Sequence, residues 1–419
     1  MSLVLAGLFI LFLLMGIPIA VVIGAATMGA LNLSGVPLMV VPQQMFSGIN
    51  SFALVAVPMF ILAGDVMAQG EISRRLVAFA DSMFGFIKGG LSIVSVLAGM
   101  FFAAISGSGA ATTAAVGASL VPELKRKGYD PAAAAALIAA SGTIGVVIPP
   151  SVPMIIYAVI AQESVAKLFL NGFIPGVALG IGLILVALIQ GHRRAYPRGT
   201  AWNPGTIGRT FLSALWGLMA PLIILGGIFS GIFTPSEAAV VAVNYAILVS
   251  LFVYRDLTLA QLYRIVVRAG VTTAVIMFVI SASSVLSWAL SSWQVPNAIA
   301  GYALGLTSNF YMLLLVIMLI ILISGVFLET ASALVILTPM LLPLALQLGL
   351  GTVHFGIIIV VGLAIGMVTP PVAINLFVAS TTANLPIEKI TRAVLPYMGI
   401  LIVVYLVIGF GPLLFHGWQ

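Results

Sequence analysis

The chain has 419 residues, of which 62% are hydrophobic and only 6% charged. Soluble domains carry about 25% charged residues, so this composition excludes a soluble protein and predicts an all-α polytopic membrane protein in a lipid bilayer. The absence of cysteine excludes disulfides and thiol chemistry. The net charge of +6 suits basic cytoplasmic loops, and we expect no nucleic-acid partner.

Nine hydrophobic stretches are long enough to be predicted as membrane spans. In chain order they are residues 2–31, 43–70, 131–165, 171–191, 211–229, 235–254, 270–292, 353–384 and 394–415. If every basic cluster lies in the cytoplasm, fifteen of the sixteen basic residues fall on that side. This arrangement predicts a cytoplasmic N-terminus and a periplasmic C-terminus.

Residues 89–121 lie between basic residues at positions 74, 75 and 88 and a basic run at 125–127. The segment is therefore predicted to enter and leave the membrane on the same side. Its predicted arms have up to fifteen residues and reach about 22 Å, less than a hydrocarbon core of about 30 Å. We expect a re-entrant helical hairpin with ISGSGAATT at its tip. Two full crossings would leave the side assignment of the loops unchanged.

Residues 310–346 have the same pattern, with ETAS at the turn. The flanks of this segment, 294–309 and 347–352, contain no Lys or Arg. A second hairpin is therefore predicted to enter from the opposite side of the membrane.

A shift of 221 residues places Pro149-Pro150 on Pro370-Pro371 and the first hairpin on the second. The opposite charge of the flanks predicts two inverted repeats, each with a re-entrant hairpin and a proline-broken helix. The first repeat is 1–191 (hairpin 89–121, broken helix 131–165), the connecting span is 192–234, and the second repeat is 235–419 (hairpin 310–346, broken helix 353–384). Inverted repeats with broken helices are typical of secondary transporters.

The double prolines remove amide donors and must interrupt their helices. Such backbone is tolerated at membrane depth only where protein or a cavity satisfies it. Each break and hairpin tip together could form an oxygen cage for a hard cation such as sodium, and the helix N-termini could hold an anion. Close helix packing is the alternative role for Gly, Ser and Thr, but four patches in two symmetric pairs favour a site.

Glu329 is the acidic residue predicted at membrane depth in the second tip. It could bind a cation, carry a proton or cap the hairpin. By contrast, Asp65 lies near the predicted membrane boundary and needs no function. The chain offers no Ser/His or Asp/Asp set at membrane depth, which argues against an intramembrane enzyme. A channel without coupled transport is the other alternative.

The sequence resembles the large membrane subunit of tripartite ATP-independent periplasmic (TRAP) transporters over nearly its whole length. The most specific segments are ISGSGAAT (105–112), TIGVVIPPS (143–151), GIFTPSEAAVVAVNYA (231–246) and HFGIIIVVGLAIGMVTPPVAINLFVAS (354–380). The resemblance implies an elevator-type fold like that of the ion-transporter superfamily. It also implies sodium-coupled import of a small organic anion, a carboxylate or related acid, across the bacterial inner membrane. The implied partners are a small four-helix membrane subunit and a periplasmic substrate-binding protein.

The resemblance also implies two sodium sites and a substrate site. Carried over by position, the first sodium site is Ser106, Gly145, Ile148 and Pro150, the second is Gly325, Gly366, Thr369 and Val372, and the substrate site is Ser108, Thr112, Ser151, Ser332 and Asn375. The alternative is a proton-coupled anion transporter that uses Glu329.

Overall fold

The computed structural model describes residues 1–69, 71–198, 202–307 and 309–414. Within these ranges the chain forms α-helices joined by short turns and contains no β-strand. The predicted connecting segment, the second repeat and the C-terminal end each include residues outside the described ranges. The described parts support the prediction of an all-helical protein.

The helices of the N-terminal half are short except for the last one, α10. They are α1 (Ser2–Leu14), α2 (Ile19–Leu33), α3 (Val40–Ile49), α4 (Ala56–Gln69), α5 (Glu71–Phe84), α6 (Gly90–Ser106), α7 (Gly109–Arg126), α8 (Pro131–Gly142), α9 (Val152–Ala161) and α10 (Val165–Arg193).

The helices of the C-terminal half follow a similar order. They are α11 (Pro204–Phe229), α12 (Pro235–Leu248), α13 (Leu259–Ser292), α14 (Val295–Leu306), α15 (Phe310–Phe327), α16 (Thr330–Gln347), α17 (Thr352–Gly366), α18 (Ile374–Ala383) and α19 (Ile387–Leu414).

Eight helical segments in the described residues are long and apolar enough to cross a membrane. They are Phe52–Gln69, Val165–Arg193, Pro204–Phe229, Pro235–Val253, Leu259–Ser292, Phe310–Phe327, Thr330–Gln347 and Ile387–Gly411. The chain is therefore a multi-pass membrane protein.

The predicted span 2–31 is wrong as a single crossing. Helix α1 ends before Gly16, which adopts a left-handed φ of +74°, and Pro18 directly precedes α2. Proline disfavours helix in the residue before it. Leu5 packs with Ala26 and Ala30 of α2, so the two helices form an antiparallel pair. The cytoplasmic position of the N-terminus depended on that crossing and stays a prediction.

The predicted span 43–70 is bent, because α3 ends at Ile49 and α4 begins at Ala56. Its two parts run antiparallel to the long helix α13. The Ser281 hydroxyl donates to the Met45 carbonyl at 3.0 Å, while Asp65 pairs with Arg268 at 3.5 Å. The one helix α13 thus packs against both α3 and α4 in the other half of the chain.

Both predicted hairpins are present, but their arms are longer than expected. Helix α7 continues through Pro122 to Arg126, and α16 continues through Pro339 and Pro343. Arms of 17 and 18 residues reach about 26 Å at 1.5 Å per residue. Arm length therefore does not by itself prevent a crossing, and the re-entrant character of the hairpins stays a prediction.

Both predicted helix breaks are present as well. Helix α8 tightens into a 3₁₀ turn at Thr143–Val146, and α9 starts only after Pro149-Pro150. Helix α17 ends at Gly366, and α18 starts only after Pro370-Pro371. Start positions in the second half repeat those of the first at 221 residues, as in α7 at Gly109 and α16 at Thr330.

Each broken helix packs against the hairpin in the other half of the chain. Helix α9 packs against α16, and α18 packs against α7 and α8. The Tyr157 hydroxyl of α9 donates to the Thr352 carbonyl at 2.6 Å, and Lys125 of α7 donates to the Ala383 carbonyl at the end of α18. The hairpins and broken helices therefore pack as one body.

We predict that Gly366→Ala destabilises the protein, because a Cβ at Gly366 would lie 2.3 Å from the Gly325 carbonyl carbon. The backbones of α15 and α17 must then separate, at a cost of about 1–3 kcal/mol. Thermal unfolding in detergent would show a midpoint lower by several degrees. The matched control is Gly399→Ala in α19, where a Cβ meets nothing within 4 Å. Equal midpoints for the two variants would contradict this packing argument.

Candidate functional site

The first hairpin turns within two residues. Helix α6 ends at Ser106, and Gly107 adopts a left-handed φ of +60°, a conformation that glycine adopts without steric cost. Ser108 then caps α7 by accepting a hydrogen bond from the Ala111 amide. The tip thus presents backbone and hydroxyl groups with little side-chain bulk.

Two hydroxyls and one carbonyl of this tip form an oxygen cluster. The hydroxyl oxygens of Ser106 and Thr112 lie 3.0 Å apart. The Thr112 hydroxyl also donates to the Ser108 carbonyl at 2.8 Å. Ser106 and Thr112 are both almost fully buried, so these oxygens are positioned by the fold.

The first helix break lies directly against this cluster. A Cβ added at Gly145 would lie 2.5 Å from the Thr112 hydroxyl oxygen and 2.7 Å from the Ser108 carbonyl oxygen. A Cβ added at Gly107 would lie 2.8 Å from the Pro150 carbonyl oxygen. The structure therefore brings the tip, Gly145 and Pro150 together, and only glycine fits at the two contact points.

The predicted first sodium site contains suitable oxygen donors. Ser106, Gly145 and Pro150 meet at the tip, whereas the side chain of Ile148 packs toward Gly176 of α10. The Ile148 and Pro150 carbonyl oxygens accept no hydrogen bond from a described residue. Hydroxyl and unwound carbonyl oxygens at a broken helix are the ligands that coupling sodium ions use in transporters. These residues therefore fit a sodium ion.

The predicted second sodium site is assembled in part. A Cβ at Gly366 would lie 2.4 Å from the Gly325 carbonyl oxygen, so these two backbones are in contact. The Thr369 hydroxyl donates to the Ile365 carbonyl at 2.9 Å, within its own helix end. Val372 is 40% exposed. A role for Thr369 and Val372 beside the two glycines stays a prediction.

Glu329 caps the second hairpin. One of its carboxylate oxygens accepts hydrogen bonds from the Ala331 amide at 2.9 Å and the Ser332 amide at 3.2 Å. A carboxylate at this position also complements the dipole of α16. Of the three roles considered from the sequence, capping is the one that these contacts show.

Both hairpin tips line one cavity of about 590 Å³, here called the tip cavity. Four helices begin at its wall, at Gly109 (α7), Val152 (α9), Thr330 (α16) and Ile374 (α18). Helix N-termini carry partial positive charge and unpaired amides. Because both tips open onto the same space, they lie at the same depth in the protein.

The predicted substrate residues divide between the cavity wall and the layer behind it. Ser108 lies in the wall, as does Glu329. Thr112, Ser151, Ser332 and Asn375 are buried and do not line the tip cavity. The Ser151 hydroxyl donates to the Val146 carbonyl at 2.5 Å, and Asn375 donates to the Ala139 carbonyl at 3.3 Å. Direct contact between these four residues and a substrate stays a prediction.

Two charged residues of the tip cavity were missed from the sequence. Arg268 and Asp65 line its wall and pair with each other at 3.5 Å. Arg268 lies just outside the predicted span 270–292, among the basic residues expected on the cytoplasmic side, and Asp65 was given no function. The available signal was helical spacing, since Arg268, Thr272 and Ile276 recur every four residues and all line the cavity.

A second cavity of about 660 Å³, here called the serine cavity, lies along the other end of α13. Its polar wall includes six serines, namely Ser47, Ser51, Ser283, Ser284, Ser287 and Ser291. Glu163 lines it from the loop after α9, and a hydrogen bond from the Thr352 hydroxyl lowers the pKa of that carboxyl. One face of α13 therefore contributes to both cavities.

The described residues contain no group of three or more His, Cys, Asp or Glu side chains that could hold a metal ion.

A family model described as "Tripartite ATP-independent periplasmic transporter, DctM component" matches residues 6–414. The isethionate TRAP transporter permease protein DctMQ of Oleidesulfovibrio alaskensis is 43% identical over 98% of this chain, which spans 65% of that relative's length. The C4-dicarboxylate TRAP transporter large permease protein DctM of Pseudomonas aeruginosa is 40% identical, over 88% of this chain and 86% of the relative.

A solved structure, that of the YdaH transporter of Alcanivorax borkumensis, shares the fold. It matches with a TM-score of 0.68 at 14% identity, over 89% of this chain and 88% of that chain. The full-length family match and the identity to the Pseudomonas aeruginosa permease together establish the family. The chain belongs to the DctM component family of TRAP transporters, whose members are large permease subunits and not enzymes.

Proposed function

We propose that this chain is a sodium-coupled secondary transporter that imports a small organic anion delivered by a periplasmic binding protein. The observation that carries the proposal is the convergence of two hairpin tips and two broken helices on one cavity. Family membership supports a permease role. The oxygen donors around Ser106 and Gly145 support a sodium site, with Gly325 and Gly366 at the second.

The cargo that the tip cavity suits is a small organic acid. The relatives are named for isethionate and C4-dicarboxylates, which are compact anions. The N-termini of α7, α9 and α18, together with Arg268, offer positive charge to such an anion, whereas Glu329 already caps α16. A volume of about 590 Å³ lies within the usual range of small-molecule pockets.

An elevator mechanism with two inverted repeats, 1–191 and 235–419, is the motion that we propose. The hairpins and broken helices pack as one body, and α13 packs against α2, α3 and α4 beside it. The tip cavity and the serine cavity lie at opposite ends of one α13 face. Movement of the body along that face would expose the cargo first at one end and then at the other.

The proposed partners are a small four-helix membrane subunit and the periplasmic binding protein, in the bacterial inner membrane. Exposed apolar side chains on α11 and α13, including Leu222 and Val271, would contact lipid or the small subunit. We retain the cytoplasmic N-terminus and periplasmic C-terminus as part of the proposal.

We predict that Ser106→Ala raises the sodium concentration for half-maximal uptake about tenfold, because a hydrogen-bonding group facing a charge contributes about 1.5–3 kcal/mol. Uptake would be measured in proteoliposomes that contain the small subunit, with the binding protein outside. The matched control is Ser95→Ala, which removes a buried hydroxyl of the same helix whose bond stays within α6. Equal sodium dependence of the two variants would remove Ser106 from the sodium site.

A second candidate function is proton-coupled anion transport through Glu329, which is favoured by the position of that carboxylate in the cavity wall. Sodium-coupled uptake needs a sodium gradient and continues without a pH gradient. Proton-coupled uptake needs a pH gradient and continues without a sodium gradient.

We predict that Glu329→Gln keeps sodium-driven uptake within about threefold of the wild type, because a glutamine oxygen can still accept the bonds that cap α16. Neither protein should accumulate substrate when a pH gradient is imposed without sodium. Uptake driven by the pH gradient in the wild type and lost in Glu329→Gln would instead establish proton coupling.

A further inference from the structure

We propose that Arg268 binds the anionic group of the cargo in the tip cavity and that Asp65 competes with the cargo for it. This proposal rests on the function proposed above. It assigns to one residue of α13 and one of α4 a role in holding and then releasing the cargo.

Arg268 is the one basic side chain in the described wall of the tip cavity. The same wall carries two carboxylates, Asp65 and Glu329. Glu329 faces amides of α16, so its charge is offset by the helix N-terminus. An entering anion would still meet the Asp65 charge, and Arg268 is the cation placed to offset it.

The existing pair leaves Arg268 available. Its Nε lies 3.5 Å from an Asp65 carboxylate oxygen, which is longer than the usual 2.7–2.9 Å of a charge-assisted hydrogen bond. The two terminal nitrogens of Arg268 donate no hydrogen bond to a described residue. The Arg268 side chain is 57% exposed, whereas that of Asp65 is 20% exposed. A guanidinium held through Nε alone can offer its remaining fork to a carboxylate or sulfonate.

Arg268 also differs from the tip residues in the helix to which it belongs. It lies on α13, which packs against α2, α3 and α4, and α13 is not part of the hairpins or broken helices. If the hairpins move along α13, the cargo meets Arg268 only in the position seen here. At the other end of the same face, the cargo would meet the uncharged hydroxyls of Ser283 and Ser287.

If the cargo contacts Arg268 in only one position of the hairpins, that contact shifts the equilibrium between the two positions. A cation alone would hold the anion too long, since transport needs release as well as binding. Asp65 limits this effect because it reclaims Arg268 as the cargo leaves. The pair therefore sets the affinity of the position in which the tip cavity is open.

The proposal predicts opposite effects for the two partners. Arg268→Gln should weaken binding about tenfold, and Asp65→Asn should tighten it about threefold, because the competitor of the cargo is removed. Arg268→Lys keeps the charge but loses the fork, so its binding should fall between that of the wild type and that of Arg268→Gln. Arg264→Gln is the matched control, because it removes the same charge one turn earlier on α13 from a residue outside the cavity wall.

The experiment is equilibrium binding of tritiated succinate and of radiolabelled isethionate to the purified complex with its small subunit, both in saturating sodium and with sodium replaced by potassium. Thermal unfolding of each variant would verify folding. Weaker binding by Arg268→Gln, tighter binding by Asp65→Asn and unchanged binding by Arg264→Gln support the proposal. Effects of the same sign in Arg268→Gln and Asp65→Asn would mean that the pair is only structural, and this overturns it.

Failure of this proposal is distinguishable from failure of the proposed function. Sodium-stimulated binding that is equal in the wild type and Arg268→Gln overturns the role of Arg268 and leaves sodium coupling intact. Wild-type binding that does not respond to sodium overturns the coupling, while a large difference between wild type and Arg268→Gln would still support the role of Arg268.

Discussion

The rest of the structure depends on one constraint, which is that backbone polar groups at membrane depth need partners inside the protein. Pro149-Pro150 and Pro370-Pro371 interrupt two helices and leave carbonyl and amide groups without helical partners. The hairpin tips are brought against these interruptions through glycines, as at Gly107 and Gly145. The Val152 amide after the first break donates to the Gly107 carbonyl at 3.4 Å, so the tip satisfies part of the break directly.

The same close approach determines what kind of site can form. Because no Cβ fits at Gly145 or Gly366, the contacts are made by backbone and small hydroxyl side chains. Carbonyl oxygens suit a cation, and the starts of α7, α9 and α18, which no carboxylate caps, suit an anion. A site for both charges thus follows from helix ends, with few ionisable side chains. Helix α9 packs against the second hairpin and α18 packs against the first. This packing holds the helix ends together as one body.

Features signalled by local chemistry could be predicted from the sequence. Glycine, proline and hydroxyl residues identified both tips and both breaks, and residues such as Ser106 and Gly145 do lie together. Features set by tertiary packing could not. Hydropathy records that residues 2–31 are apolar but not that the chain reverses near Pro18. The predicted hairpin ended at residue 121, yet α7 continues through Pro122 to Arg126. Arg268 lies just outside the predicted span 270–292, and its pairing with Asp65 is set by how α13 packs on α4.

The missed pair bears on how a permease avoids trapping its cargo. In the proposed elevator motion, the helix N-termini around the tips would move with the cargo, because the tips and the breaks pack together. Their attraction for the cargo would then be equal in every position and would not favour one over another. A charge on α13 is different, since only one end of that helix carries Arg268 while the other end presents serines. The two halves therefore differ in the helices that pack beside the hairpins. Residue 47 of α3 is serine, whereas its counterpart 221 residues later, residue 268 of α13, is arginine.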